Sequence, residues 1–175
     1  MNRDVISLLD TAYQIHHHES VWVRSLRASM EYYLGMPDAI LAMTYQQRGG
    51  RNVIRCFDLA GASSSSSISE MREAAERLPS LWSGTIAARA SALSTDIRPA
   101  RLARELGFEA RDFFGLNAVD PTGYGILIAL PLARRSGVDH VPPPSMWDHL
   151  SAHLSAAYRL ERVLEQGALT LEATL

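Results

Sequence analysis

DFFGLNAVDPTGYGILIALPL, residues 112–132, is the stretch around which the chain is organised. An apolar run precedes Asp120-Pro121-Thr122-Gly123 and another follows it. Glycine at the last position of such a four-residue turn marks a tight connection between antiparallel strands. The second arm, residues 126–130, carries no polar side chain on either face, which a strand tolerates only when both of its sides are covered. It is therefore expected in mid-sheet, and the rest of the chain has to supply two covers.

Downstream, Pro142-Pro143-Pro144 is a stiff spacer, and Ser145 with Asp148 three positions on resembles a capping box. They open a last helix expected to run to about Gln166, before Gly167. Its apolar residues form two adjacent stripes: Trp147, Leu150, Leu154, Ala157 and Leu164, then Met146, Ala156, Leu160 and Val163. So broad an apolar sector needs a neighbour besides the sheet, either the N-terminal helix or another copy of the chain. The first stripe is the candidate dimer interface. Residues 169–175 read as the first residues of a new strand, so the expected domain is 1–168, with 169–175 leading into a linker or a following segment.

Upstream, Val5, Leu8, Leu9, Ala12 and Tyr13 recur at helical spacing, as do Trp22, Val23, Leu26, Met30, Tyr33 and Leu34, which predicts two amphipathic helices joined at residues 16–20. Gly35-Met36-Pro37-Asp38 stops the second. Residues 39–47 and 52–59 then meet across Arg48-Gly49-Gly50-Arg51 as another hairpin. Gly61 and the serines up to Ser67 form a polar connector with nothing to bury. A helix over about 69–77, broken by Pro79, and a short one over 99–106, with N-cap candidates at 94–96 and a stop at Gly107, complete a helical, loop-rich middle.

A chain of 175 residues, 47% hydrophobic and 21% charged, is large enough for one domain with its own core, and no run approaches the roughly 20 apolar residues of a membrane span. The start, MNRDVISLLD, lacks the pattern of a secretory signal, and the single Cys56 agrees with a reducing compartment, so a cytoplasmic location is expected. A formal net charge of -2 argues against this segment itself gripping a phosphate backbone.

The residues that could carry chemistry do not assemble into an enzyme. His16, His17 and His18 are consecutive, and neighbours on a helix point about 100° apart, so they cannot converge on one metal ion. His149 and His153 share a face but lack a third ligand. Cys56 adjoins Arg55, yet neighbours on a strand point to opposite faces, which predicts a buried structural thiol. The serines lack a GxSxG context, and Gly115, Gly123 and Gly125 do not make GxGxxG. The remaining group is Tyr45, Arg55, Cys56, Trp82, Phe113, Asn117 and Tyr124. If the sheet has a loop-rich cover on one face, the inward members of this set line a small-molecule pocket with a few polar handles; otherwise they are ordinary core.

Two helices, hairpin, helical middle, hairpin and long C-terminal helix: in this order of elements the chain resembles a GAF-type sensor domain. Residues 117–125, NAVDPTGYG, followed by Pro131-Leu132 and then residues 150–160, LSAHLSAAYRL, resemble the N-terminal regions of bacterial LuxR-type helix-turn-helix transcriptional regulators. The resemblance implies an α/β (α+β) fold with a central, mainly antiparallel sheet, the N- and C-terminal helices on one face and the helical middle on the other. It also implies a cytoplasmic, homodimeric, non-enzymatic regulatory domain that binds a small-molecule effector and reaches DNA only through a C-terminal domain absent from this chain. GAF-like pockets hold cyclic nucleotides, chromophores or haem in different members, and no motif here selects an effector or cofactor. The alternative is a ligand-free dimerisation module.

Overall fold

The computed structural model describes residues 5–14, 18–34, 40–61, 67–82, 87–93, 98–132 and 144–172, without the side chains of Ser91, Pro144, Ser145 and residues 168–172. His16, His17, the stop at 35–38, the N-cap candidates at 94–96, most of the proline spacer and the Ser145 cap lie outside the described residues.

Among the described residues, five strands form one antiparallel sheet in the order β2-β1-β5-β4-β3, with β1 at Leu41–Arg48, β2 at Arg51–Leu59, β3 at Ala87–Arg89, β4 at Asp112–Val119 and β5 at Tyr124–Leu132. The apolar β5 is the central strand, as the absence of polar residues at 126–130 requires. Both hairpins close as their turn residues dictate. Gly49 and Gly50, at φ 56° and 76°, make a two-residue turn with both centres left-handed. At the other hairpin, the Gly123 amide donates to Asp120 O (3.0 Å) while the Asp120 carboxylate accepts from the Thr122 amide (2.8 Å), and Gly123 takes φ 80°.

One face of the sheet, carrying Ile40, Ala42, Phe114, Leu116, Ile126 and Ile128, is covered by α1 (Val5–Tyr13), α2 (Glu19–Leu34) and α7 (Pro144–Glu172). Trp22 and Tyr158 stack there, with ring centroids 5.6 Å apart, and the Trp22 indole donates to Ala12 O. The other face, carrying Leu41, Met43, Tyr45, Phe113, Leu127 and Ala129, is covered by α3 (Ile68–Glu76), α4 (Leu78–Leu81), α5 (Ala90–Leu93) and α6 (Pro99–Glu105). The expected division of covers is the one observed.

Local chemistry sets the borders. The last residue of the serine run, Ser67, caps α3: its hydroxyl accepts from the Glu70 amide while Glu70 accepts from the Ser67 amide. This reciprocal cap stabilises the helix by about 1 kcal/mol. The S-x-x-E signature stood in the sequence within what reads as a plain connector. Pro79 both separates α3 from α4 and starts the latter, since its missing amide is harmless in a first turn. Two expectations are corrected. The helical middle contains an edge strand, β3, too short for a period-2 signal. And α7 continues through Gly167 to Glu172, so residues 169–172 prolong a helix and begin no strand. Gly167 keeps helical geometry because exposed glycine weakens a helix without forbidding it.

Candidate functional site

The seven residues singled out as pocket-lining divide between the two faces of the sheet. Tyr45, Trp82, Phe113 and Asn117 meet on the α3–α6 side. Tyr45 is fully buried and donates its hydroxyl to Asn117 Oδ1 (2.8 Å), and the Asn117 amide donates to Trp82 O (3.4 Å). Burial pushes the Tyr45 phenol up to about 12, so it is a neutral donor there. The Trp82 indole donates to Ala88 O (2.9 Å), which holds β3 in place. Trp82 and Tyr45 seat their rings on strand positions that lack side chains, Gly115 and Gly125. Tyr45, Trp82 and Phe113 have no solvent exposure. The space between the sheet and the helical middle is thus packed at these residues, and the cavity expected among them is instead core.

Arg55, Cys56 and Tyr124 lie on the opposite face, Tyr124 by alternation with Ile126 and Ile128 on β5, and Arg55 because the β1–β2 register slips. Thr44 pairs with Cys56 and Tyr45 with Ile54, leaving Arg55 as the extra residue of a bulge. A bulge suspends strict alternation, so Arg55 joins Cys56 on the α2–α7 side, contrary to the expectation from neighbouring strand positions. The thiol, expected to be buried, is only partly so. Burial, then the nearby Glu19 and Asp58 carboxylates, push Cys56 up to about 11, away from thiolate chemistry.

Around Arg55 the fold builds a polar network. Glu19, at the start of α2, accepts from Thr44 Oγ1 (2.6 Å), from the Tyr158 hydroxyl (2.7 Å) and from Arg55 Nε (3.1 Å), and Arg55 also pairs with Glu165 (3.2 Å). Next to it, Arg162 pairs with Asp120 (2.9 Å) with both side chains nearly buried, and its guanidinium lies 3.5 Å from the Tyr124 ring centre. Desolvation alone would raise the Asp120 carboxyl. The Thr122 hydroxyl and amide, the Tyr124 amide and Arg162 outweigh it and hold the group below the usual carboxylate range. These partners lie 42 and 139 residues apart for Arg162–Asp120 and Tyr158–Glu19, so no local pattern announces them.

Asp120 also lines a hollow beside α7. A cleft of about 540 Å³ lies between the β4–β5 turn and α7. Trp82, Asn117, Val119, Asp120 and Pro121 form one wall. The α7 face opposite carries Ser151, Ala152, Ser155 and Ala156 between Asp148 and Arg159. Ser151 donates to Asn117 O (3.3 Å), closing the cleft at its inner end. Only Trp82 and Asn117 of the seven sequence candidates contribute to it. A second hollow of about 570 Å³, lined by Asn52, Glu73, Glu76, Arg77 and Ser80 among others, lies between the β1–β2 turn and α3–α4. Asn52 partly fills it, donating to Ser80 Oγ (2.9 Å).

The candidate dimer stripe is corrected at four of its five positions. Trp147, Leu150, Leu154 and Ala157 are buried in the domain's own core, with Trp147 against Phe114 at 5.2 Å between centroids, because the sheet face needs this cover. Leu164 stays exposed, next to Leu160 and Val163. His153 accepts or donates a hydrogen bond with the Tyr13 hydroxyl (3.0 Å), joining α7 to α1, and among the described residues no three His, Cys, Asp or Glu side chains are placed to hold a metal ion. No described helix is long and apolar enough to cross a membrane.

No family model matches the chain, and no curated protein matches it. Solved structures do. Bacteriophytochrome RpBphP3 from the photosynthetic bacterium R. palustris superposes over 92% of this chain with a TM-score of 0.56 at 9% identity. This chain spans 37% of that one. At such identity the likeness is one of fold. What the two share is the arrangement of antiparallel strands between an N- and C-terminal helical layer and a helical middle.

Proposed function

We propose that this chain is a ligand-sensing regulatory domain, with the cleft between the β4–β5 turn and α7 as its effector site. The observation that carries the reading is that one wall of a mixed polar and apolar 540 Å³ cleft is α7 itself. Volumes of this order suit small-molecule ligands. Occupancy that favours one placement of the β4–β5 turn is relayed through the Asp120–Arg162 pair to the distal half of α7, since only differential affinity for two arrangements shifts an equilibrium. The resemblance of residues 117–125 and 150–160 to LuxR-type regulators supports an output in transcription. Binding to DNA then belongs to a further domain, and a cytoplasmic setting follows from that role.

The experiment is a thermal-shift panel of metabolites and nucleotides on the wild type and Ala156→Trp, which fills the cleft from α7. A saturating effector is expected to raise Tm by several degrees, about 2.7 kcal/mol at a hundredfold excess over Kd, and Ala156→Trp to abolish that shift. Equal shifts in both proteins would remove the cleft from the mechanism.

A second reading, a ligand-free dimerisation module, draws on Leu160, Val163 and Leu164, exposed together on the distal part of α7. Sedimentation equilibrium checks it. A dimer that Leu164→Glu converts to monomer is expected on that reading, and a monomeric wild type at tens of micromolar would end it.

A further inference from the structure

Among the described residues, two charged groups of the cleft have no partner. Asp120 is engaged by Arg162 and its own turn, whereas Asp148 and Arg159 make no hydrogen bond or ion pair with any described residue. Both are exposed, and both line the cleft. They stand eleven residues apart on α7, three helical turns plus about 20°, so they lie on nearly one line along the helix, about 16 Å apart at the backbone. Helical side chains lean toward the N-terminus, and arginine is the longer of the two, so the Arg159 guanidinium reaches back toward Asp148 and shortens the gap between charges to roughly 13 Å. Between them the floor is Ala152, Ser155 and Ala156, facing the half-exposed Val119. The trough therefore mixes small apolar and hydroxyl side chains along the helix, negative at one end and positive at the other.

Resting on the reading of the cleft as an effector site, we propose that its ligand class is a short apolar peptide with both termini free, amine toward Asp148 and carboxylate toward Arg159. An extended chain advances about 3.3–3.6 Å per residue, so four residues match the gap. Free amino acids are too short to reach both charges, and a longer peptide overhangs one of them.

The test is calorimetric titration of the full chain with tetra-alanine, its N-acetylated form and its C-amidated form, beside dialanine and hexa-alanine. Tetra-alanine is expected to bind best. Capping either terminus is expected to weaken it up to about fivefold, the range of a solvent-accessible ion pair. Arg159→Gln should erase the difference between carboxylate and amide while keeping that between amine and acetyl, and Asp148→Asn should do the converse. Thermal unfolding of each variant checks that the helix is intact, since Asp148 lies near the N-terminal end of α7, where a negative side chain is stabilising. Equal binding of free and capped peptides, or no binding, overturns the proposal. If no peptide binds while a panel compound shifts the wild type and not Ala156→Trp, the ligand class is wrong and the effector site stands; if neither binds, both fall.

Discussion

Gly115→Ala is expected to cost the domain about 3 kcal/mol, a fall in Tm of roughly 6–12 °C for a chain of this size. Gly115 sits inside β4, paired with Ala88 on one side and Ala129 on the other, so its backbone cannot drift without breaking the ladder. A β-carbon there would stand within the Trp82 indole, with Cδ2 only 2.7 Å away and other ring atoms nearer. The ring has no room to retreat, because it is fully buried and its Nε1 is held by Ala88 O. The same construction recurs at Gly125 beneath Tyr45, whose hydroxyl would be within 2.5 Å of an added carbon. Urea unfolding checks the first case. A loss under 0.5 kcal/mol would show that the indole can move aside, and would weaken the view of this face as close-packed.

Arg162→Met should cost about as much, for a different reason. Removing the guanidinium leaves the Asp120 carboxylate buried without its counter-charge, and breaking such a pair from one side costs about 3–5 kcal/mol. The three hydrogen bonds that Asp120 receives from its own turn favour the lower figure. The double variant Asp120→Asn with Arg162→Met should recover part of the loss, since no uncompensated charge remains. The pH dependence has a definite sign. Asp120 is held below its unfolded value, so its contribution is whole above that value and is lost as pH falls through the folded one. Wild-type stability should therefore decline from near pH 4 downward, and Arg162→Met should decline less over the same window. Parallel denaturation curves from pH 3 to 7 test both statements. Identical slopes in the two proteins would mean that Arg162 does not hold the carboxyl ionised.

The relay ascribed to this pair can be tested in the same samples. Arg162 touches Tyr124 and Asp120 on one side and belongs to the distal half of α7 on the other. Hydrogen exchange over residues 160–167 is expected to accelerate in Arg162→Met, beyond what the change in global stability explains, because the helix loses its tie to the β4–β5 turn.

Strand patterns were legible because their physics is local. The apolar run at 126–130 had to be central, Gly49-Gly50 and Asp120-Gly123 had to turn, and the stripes at 5–13 and 22–34 had to find a core, whereas the stripe at 147–157 read as a dimer face and proved to cover the sheet. β3 was not legible, since three residues cannot show a period and their pairing is decided by the exposed edge of β4. Nor was the split of the candidate residues between two faces. One inserted residue at Arg55 changes which way Arg55 points, and a bulge leaves no mark in composition.

What the sequence alone determined is the class of fold: which segments pair, which segments cover, and that the covers differ in kind. Those follow from hydrophobic period and turn chemistry, which act within a few residues. What only the tertiary structure decided is where space remains. Aromatic rings that looked like pocket walls are absorbed onto Gly115 and Gly125, while the cleft opens beside small, unremarkable residues of α7. Cavities and ion pairs such as Asp120–Arg162 depend on distances between segments far apart in the chain, and no periodicity encodes a distance.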